Sequence, residues 1–164
     1  MNLIAAVDNK WGIGYKNKLL ISIPDDMKCF KEITMGKVCV MGRKTLESLP
    51  GGRPLSGRVN IVLTGDTTYK KSDVIVVNSV EAALEKLKEY DTNDVFIIGG
   101  ESIYEQFMPY IDTAYITYID YAYQADKHLT NLDKLSQWKM VKESEEQTYF
   151  DVEYYYRKYT KIDC

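Results

Sequence analysis

Short apolar runs alternate with stretches of helical period along the first two-thirds of the chain. Leu3–Val7, Val38–Met41, Val59–Leu63, Val74–Val77 and Val95–Ile98 are brief, rich in β-branched residues and almost free of polar ones. A strand that is apolar on both faces is covered on both, so these runs predict a parallel sheet between helical layers. Helices are predicted between them: Pro24–Thr34, a segment after Gly42, Val80–Tyr90 with Ser79 as N-cap, and one from Glu101 that stops at Pro109. The last third changes character. Ala114–Tyr121 alternates, Val152–Tyr159 holds four tyrosines, and 12 of the 14 tyrosines lie at position 90 or later. Strands with no helix pattern between them predict an antiparallel hairpin that completes a mostly parallel sheet, the tyrosines forming half-buried sheet surface. The segment from Asn9 to Ile23 has no such pattern. A connection of that length in a compact domain is often functional.

Composition narrows the chemistry. The 164 residues predict a single domain spanning 1–164. One histidine, His128, excludes a multi-histidine metal centre, and no metal site is expected. Any Ser-His-Asp or Cys-His machine would have to use that residue. Cys29, Cys39 and Cys164 are odd in number and form no CxxC, which reads as reduced thiols in a cytoplasmic protein. The first residues lack a basic signal-peptide region, and no apolar run reaches the ~18 residues of a membrane span. Net charge is -3, but residues 1–80 carry 12 Lys/Arg against 7 Asp/Glu, and residues 81–164 carry 9 against 17. Chance scatter and a site for an anionic small ligand in the N-terminal half both fit that split. A nucleic-acid partner does not fit an acidic chain.

Four segments carry candidate chemistry. On the Pro24 helix, Asp26 falls within about 40° of Phe30 and Ile33 at 100° per residue, inside the apolar stripe, whereas Asp25, Lys28, Lys31 and Glu32 fall on or near the wet side. Asp26 either serves the helix dipole in the first turn or is a recessed carboxyl that meets a polar ligand group, with its pKa raised by desolvation. Met41-Gly42-Arg43-Lys44-Thr45 follows a strand and opens a helix, which reads as an anion site or as a solvated basic turn. It is not a Walker A loop, because Arg43 intrudes and the glycine spacing is wrong. Ile97-Ile98-Gly99-Gly100-Glu101-Ser102 repeats that geometry without the third glycine of a dinucleotide fingerprint, and Gly12-Ile13-Gly14 also fails it. Arg53-Pro54-Leu55-Ser56-Gly57-Arg58 places two more cations in a stiff turn.

Taken together and in order, Leu3-Ile4-Ala5-Ala6, Ile13-Gly14, Ile23-Pro24-Asp25-Asp26-Met27, Phe30-Lys31, Val40–Thr45, Gly52-Arg53-Pro54-Leu55, Gly57-Arg58, Ile98-Gly99-Gly100, Tyr104-Glu105-Gln106-Phe107 and Ile116-Thr117 resemble the dihydrofolate reductase family in its bacterial single-domain form. The resemblance runs from Leu3 to Thr117; the C-terminal strands match in pattern more than in residues. It implies an α/β fold with an eight-stranded, mostly parallel sheet, an antiparallel C-terminal edge and four flanking helices. It also implies hydride transfer from NADPH to 7,8-dihydrofolate in a cytoplasmic monomer, with antifolate inhibitors as further ligands and no membrane or nucleic-acid partner.

Roles follow from the same resemblance. Asp26 holds the pterin and, through water, promotes protonation at its N5, with Thr117 hydrogen-bonded to the carboxylate. Met27, Phe30, Leu49 and Leu55 line the folate pocket, while Ala6 and the carbonyls of Ile4 and Ile98 edge the pterin. Arg58 pairs with the α-carboxylate of the glutamate tail, where a guanidinium fork offers two parallel bonds. Arg43, Lys44 and Thr45 take the cofactor phosphates, Arg43 facing the 2′-phosphate with Thr64. Ala6, Ile13, Gly42, Leu63, Ile98, Ser102, Ile103 and Tyr104 complete the cofactor surface with Gly99 and Gly100, which are expected to share a cis peptide.

Three positions depart from the family pattern. Leu20-Ile21 replaces the usual Pro-Trp, so residue 21 offers no side-chain N–H. Gly65 follows Thr64 where a second hydroxyl or cation is common. Glu101 sits at a helix start near the expected phosphates, which requires its carboxylate to turn away. Asp26 followed by Phe30, together with Arg58, favours folate over the related pyrimidine reductases of riboflavin synthesis. A nucleotide-binding module without turnover is the alternative of a different class.

Overall fold

The computed structural model describes residues 1–162; Cys164, read above as a reduced thiol, lies outside the described residues. In chain order the elements are β1 (Asn2–Val7), β2 (Gly12–Gly14), α1 (Pro24–Thr34), β3 (Val38–Gly42), α2 (Arg43–Ser48), β4 (Val59–Leu63), β5 (Ile75–Val77), α3 (Val80–Leu87), β6 (Val95–Gly99), α4 (Glu101–Phe107), β7 (Thr113–Ile119), β8 (Lys127–His128), β9 (Trp138–Glu143), β10 (Gln147–Tyr149) and β11 (Val152–Lys161).

Local chemistry sets the helix ends. Proline at the first position starts α1, where its missing N–H costs nothing. Ser79 caps α3, its hydroxyl accepting from the Ala82 N–H at 3.0 Å. That helix ends at Leu87, before the expected Tyr90, because Lys88, Glu89 and Tyr90 bond three residues back and tighten the last turn. Similarly, α4 gives way at Phe107 to a single 3₁₀ turn, Met108–Tyr110, that contains Pro109.

The main sheet runs β5-β4-β3-β6-β1-β7-β11. The first six strands are mutually parallel, and β11 is antiparallel to β7. On its far edge β11 pairs with β10 along its first half and with β9 along its second. These two short strands share the eighth position of the sheet, which matches the eight-stranded expectation. The anticipated β7–β11 hairpin needs correction: the two strands do pair, but residues 120–151 intervene, and the true hairpin is β10–β11. The strand β9 lacks an alternating signal because only Trp138 in it is buried.

The continuous apolarity of the parallel strands has its predicted cause. Val38 and Val40 pack with Ala83, Leu87, Ile103 and Phe107 on one face. Cys39, Met41 and Val62 pack with Leu46, Leu49, Leu55 and Ile98 on the other. Cys29 and Cys39 are free thiols, and burial pushes Cys39 up to about 11, so it packs as a small apolar group. No helix among the described residues is long and apolar enough to cross a membrane.

The topology places a cleft. The chain builds outward through β3, β4 and β5, returns to lay β6 between β3 and β1, then crosses to β7 on the other side of β1. β1 and β6 pair only as far as Leu3↔Ile97, so they part from Ile4 and Ile98 onward. Open α/β sheets bind ligands at the carboxyl ends of strands at such a reversal.

Candidate active site

At that reversal lies a cleft of about 670 Å³. Every residue expected to face a cofactor lines it: Ala6, Ile13, Gly42, Arg43, Lys44, Thr45, Leu63, Thr64, Ile98, Gly99, Gly100, Ser102, Ile103 and Tyr104. Four features make it suitable for a phosphate-bearing ligand. Both helix starts, at Gly42 and Gly100, lack a side-chain cap, so their first N–H groups are not claimed by a capping side chain. Gly99 has φ 126°, a conformation that side chains rarely adopt, and the Gly99–Gly100 peptide is cis, as expected. The buried Tyr104 hydroxyl donates to the Ile4 carbonyl at 2.8 Å and fixes β1 beside α4; burial pushes its pKa up, so it stays a donor. Finally, the Glu101 carboxylate accepts the His128 backbone N–H at 2.7 Å, turning onto β8 as the resemblance required.

Arg43 pairs with Glu47 at 3.3 Å across one helical turn. Both side chains are well exposed, and such a pair contributes at most about 1 kcal/mol. Thr64 lines the same cleft; its hydroxyl accepts the Asp66 N–H at 3.2 Å and its carbonyl accepts Asn78 Nδ2 at 2.9 Å.

The second group of expected residues lies along α1. Thr117, buried on β7, donates its hydroxyl to Asp26 Oδ1 at 2.6 Å. Desolvation raises the pKa of the Asp26 carboxyl from its ordinary value, and the Thr117 hydrogen bond opposes that rise. Asp26, Cys29, Phe30 and Ile33 are half-buried, Met27 is exposed, and Thr34 is the only enclosed residue of this helix. The stripe therefore faces a partly open region, not a closed core. Leu49, Leu55 and Ile98 pack on the Cys39–Met41 face of the sheet. At the other end of α1, Arg58 donates to Thr34 Oγ1 at 3.1 Å and to the Ser56 carbonyl at 2.9 Å. Eight residues of helix separate Asp26 from Thr34, or about 12 Å. One carboxylate and one tethered guanidinium thus bracket a half-buried apolar strip.

Positioning residues had escaped the sequence reading. Asn60, 3% exposed, receives the Leu55 N–H at 2.9 Å and donates to the carbonyls of Leu55 and Arg58. It holds the turn that carries Arg58, and an asparagine inside an apolar strand was the available signal. Asp8, 1% exposed, accepts N–H groups from Lys10, Gly12 and Tyr123. It ties down the start of the Asn9–Ile23 segment, where β2 pairs with β8. Gly12 is required there, because a Cβ would come within 2.7 Å of Ala125 Cβ. Ile21, at the position without an indole, joins an apolar cluster with Ile23, Ile119, Tyr154 and Tyr156.

Fold and cleft define an α/β protein with a cation-bearing cleft at the sheet reversal, next to the strand whose Thr117 holds Asp26. A family model described as dihydrofolate reductase matches residues 1–161. Among curated relatives, dihydrofolate reductase type 3 of Salmonella typhimurium is 38% identical, covering 88% of this chain and 86% of its own. The dihydrofolate reductase of Staphylococcus haemolyticus is 36% identical, covering 99% and 96%. A solved dihydrofolate reductase of Enterococcus faecalis, complexed with NADP(H) and RAB-propyl, superposes with a TM-score of 0.87 at 32% identity, over 99% of this chain and 96% of that one. The chain belongs to the dihydrofolate reductase family.

Proposed function

We propose that this chain, acting as a cytoplasmic monomer of one domain, reduces 7,8-dihydrofolate to 5,6,7,8-tetrahydrofolate with NADPH. The observation that carries the reading is the pairing of Asp26 with Thr117 at the inner end of α1, beside a cleft that gathers all the expected cofactor residues. The donor set suits NADPH: cations at Arg43 and Lys44, hydroxyls at Thr45, Thr64 and Ser102, apolar surface from Ala6, Ile13, Leu63 and Ile98, and a volume within the usual range for ligand sites. When bound there, the cofactor supplies a hydride to pterin C6.

The protein's own residues do the rest. Asp26 binds the pterin's 2-amino group and ring N3, fixing the ring face. Its raised pKa keeps a proton available at higher pH than an exposed carboxyl would. A water carries that proton, since the carboxylate lies at the opposite edge of the pterin. Thr117 orients the carboxylate. The carbonyls of Ile4 and Ile98, with Ala6, edge the ring; Met27, Phe30, Leu49 and Leu55 exclude solvent along it. Arg58 receives the tail carboxylate, and an antifolate of similar shape occupies the same strip. Ile21 has no donor to order the proton-carrying water, so that water depends on backbone groups and Asp26.

The assay is loss of NADPH absorbance on addition of dihydrofolate, with methotrexate as the block. Dihydrofolate-dependent, methotrexate-sensitive oxidation supports the reading; no oxidation with either dinucleotide overturns it. A second expectation concerns pH. Thr117→Val removes a hydrogen bond that favours the ionised carboxylate, so the Asp26 pKa rises further. The alkaline limb of the rate, where the proton is lost, moves to higher pH. A shift to lower pH in the pH–rate profile contradicts this role.

A further inference from the structure

The Asn9–Ile23 segment contains a built hairpin that none of the roles above uses. Tyr15 and Lys18 exchange two backbone hydrogen bonds, each 3.0 Å. Lys16 and Asn17 between them have φ of 50° and 63°. Positive φ at both central residues is the signature of a type I′ turn, which asparagine tolerates and lysine seldom adopts. The turn is pinned from outside: the Lys16 N–H donates to Asp126 Oδ2 at 3.1 Å, and the Asp126 N–H donates to the Gly14 carbonyl at 3.0 Å. The β2–β8 pairing holds the same region to the body.

This pinned turn delivers positive charge to one place. Lys16, Asn17 and Lys18 form one wall of a hollow of about 300 Å³, and Arg43, Lys44, Glu47 and Ser48 form the other. Four cations face one carboxylate there, and that carboxylate is engaged by Arg43. Lys18 and Asn17 also line the adjoining large cleft, beside Thr45 and Gly100. Lys16 Nζ lies 5.3 Å from the Tyr15 ring centroid, and an anion in the hollow would offset the repulsion among the four cations that line it. Thr64, the expected neighbour of the 2′-phosphate, does not line the small hollow. Lys16 therefore lies outside the cleft that Thr64 lines, whereas Lys18 lines both hollows.

We propose that Lys16 and Lys18 bind the diphosphate bridge of the dinucleotide from the loop side. This rests on the cofactor reading above and extends it. The hairpin then acts as a charged clasp on that bridge. The diphosphate is common to NADPH and NADH, so the clasp strengthens binding of both and leaves selectivity between them to Arg43.

Calorimetric titration of NADPH and NADH tests this, using wild type, the Lys16→Gln/Lys18→Gln double variant, Lys16→Arg/Lys18→Arg, and Arg43→Gln. Two part-exposed ion pairs predict about a tenfold weakening in the glutamine double variant at low ionic strength, shrinking as salt rises. The factor is expected to be equal for NADPH and NADH, with the arginine double variant staying near wild type. Arg43→Gln weakens NADPH alone. Unaltered affinity for both dinucleotides in the glutamine variant overturns the proposal, and so does a loss confined to NADPH. Methotrexate affinity in that variant serves as the check on folding; if it is lost, a change from wild type in the arginine variant that differs between NADPH and NADH overturns the proposal instead. A wild type that binds neither dinucleotide overturns the cofactor reading as well, which separates that failure from the failure of the clasp alone.

Discussion

Asp26→Asn is expected to cut dihydrofolate turnover at neutral pH by at least about a hundredfold, the lower range for loss of a positioned acid–base group, while NADPH affinity stays near wild type. Asparagine keeps the shape and still accepts the Thr117 hydroxyl, so the local geometry survives, while the proton source and the charge that meets the pterin's 2-amino group and N3 are lost. Lowering the pH should rescue turnover in part, because solution then protonates the pterin. A second readout has the opposite sign. The folded-state pKa of Asp26 is raised, so the folded protein holds that proton above the pH at which the unfolded chain releases it. Stability from this group is full below the unfolded pKa and falls as pH rises through the folded one. At neutral pH Asp26 is therefore a burden on the fold, and the unliganded Asn variant should unfold at equal or higher urea concentration. A variant both inactive and markedly less stable would mean that Asp26 is structural.

Arg58→Ala is expected to weaken dihydrofolate binding by about a hundredfold, within the roughly 2–5 kcal/mol cost of truncating one member of a hydrogen-bonded charge pair. Turnover at saturating substrate should change far less, since the guanidinium lies about 12 Å along α1 from the carboxylate that serves the ring. The bonds to Thr34 and Ser56 hold the guanidinium in place and leave its other N–H groups for the tail. Steady-state kinetics with a truncated pterin that lacks the glutamate provide the control. Wild type and variant should treat that compound alike, and a difference between them would place Arg58 in the fold, not at the tail.

Much of this architecture is legible in the sequence. Pro24 marked the start of α1, and the continuous apolarity of Val59–Leu63 marked a strand covered on both faces. The misplacement of Asp26 among apolar neighbours pointed to a recessed carboxyl, because a wet-face aspartate needs no such explanation. Other elements had no local signature. The two- and three-residue strands β8 and β2 exist only because residues far apart in sequence pair. The polar strand β9 reads as a loop until β11 lies beside it. Asp8 and Asn60 act through backbone N–H and C=O groups, whose positions no side-chain pattern encodes. Arg58 was visible as a charge, but its tether to α1 depends on Thr34 being brought alongside. The lone histidine enters through its main chain: the His128 N–H holds the Glu101 carboxylate aside.

The central claim is that this cleft passes a hydride from a nicotinamide to the pterin while Asp26 governs a proton. Single-turnover reduction of dihydrofolate with NADPH deuterated at its transferable position, followed by mass spectrometry of the product, tests it directly. The expected result is tetrahydrofolate with one deuterium at C6 and a solvent-derived proton at N5. NADPH oxidation without deuterium in the folate, or no reduced folate at all, would contradict it.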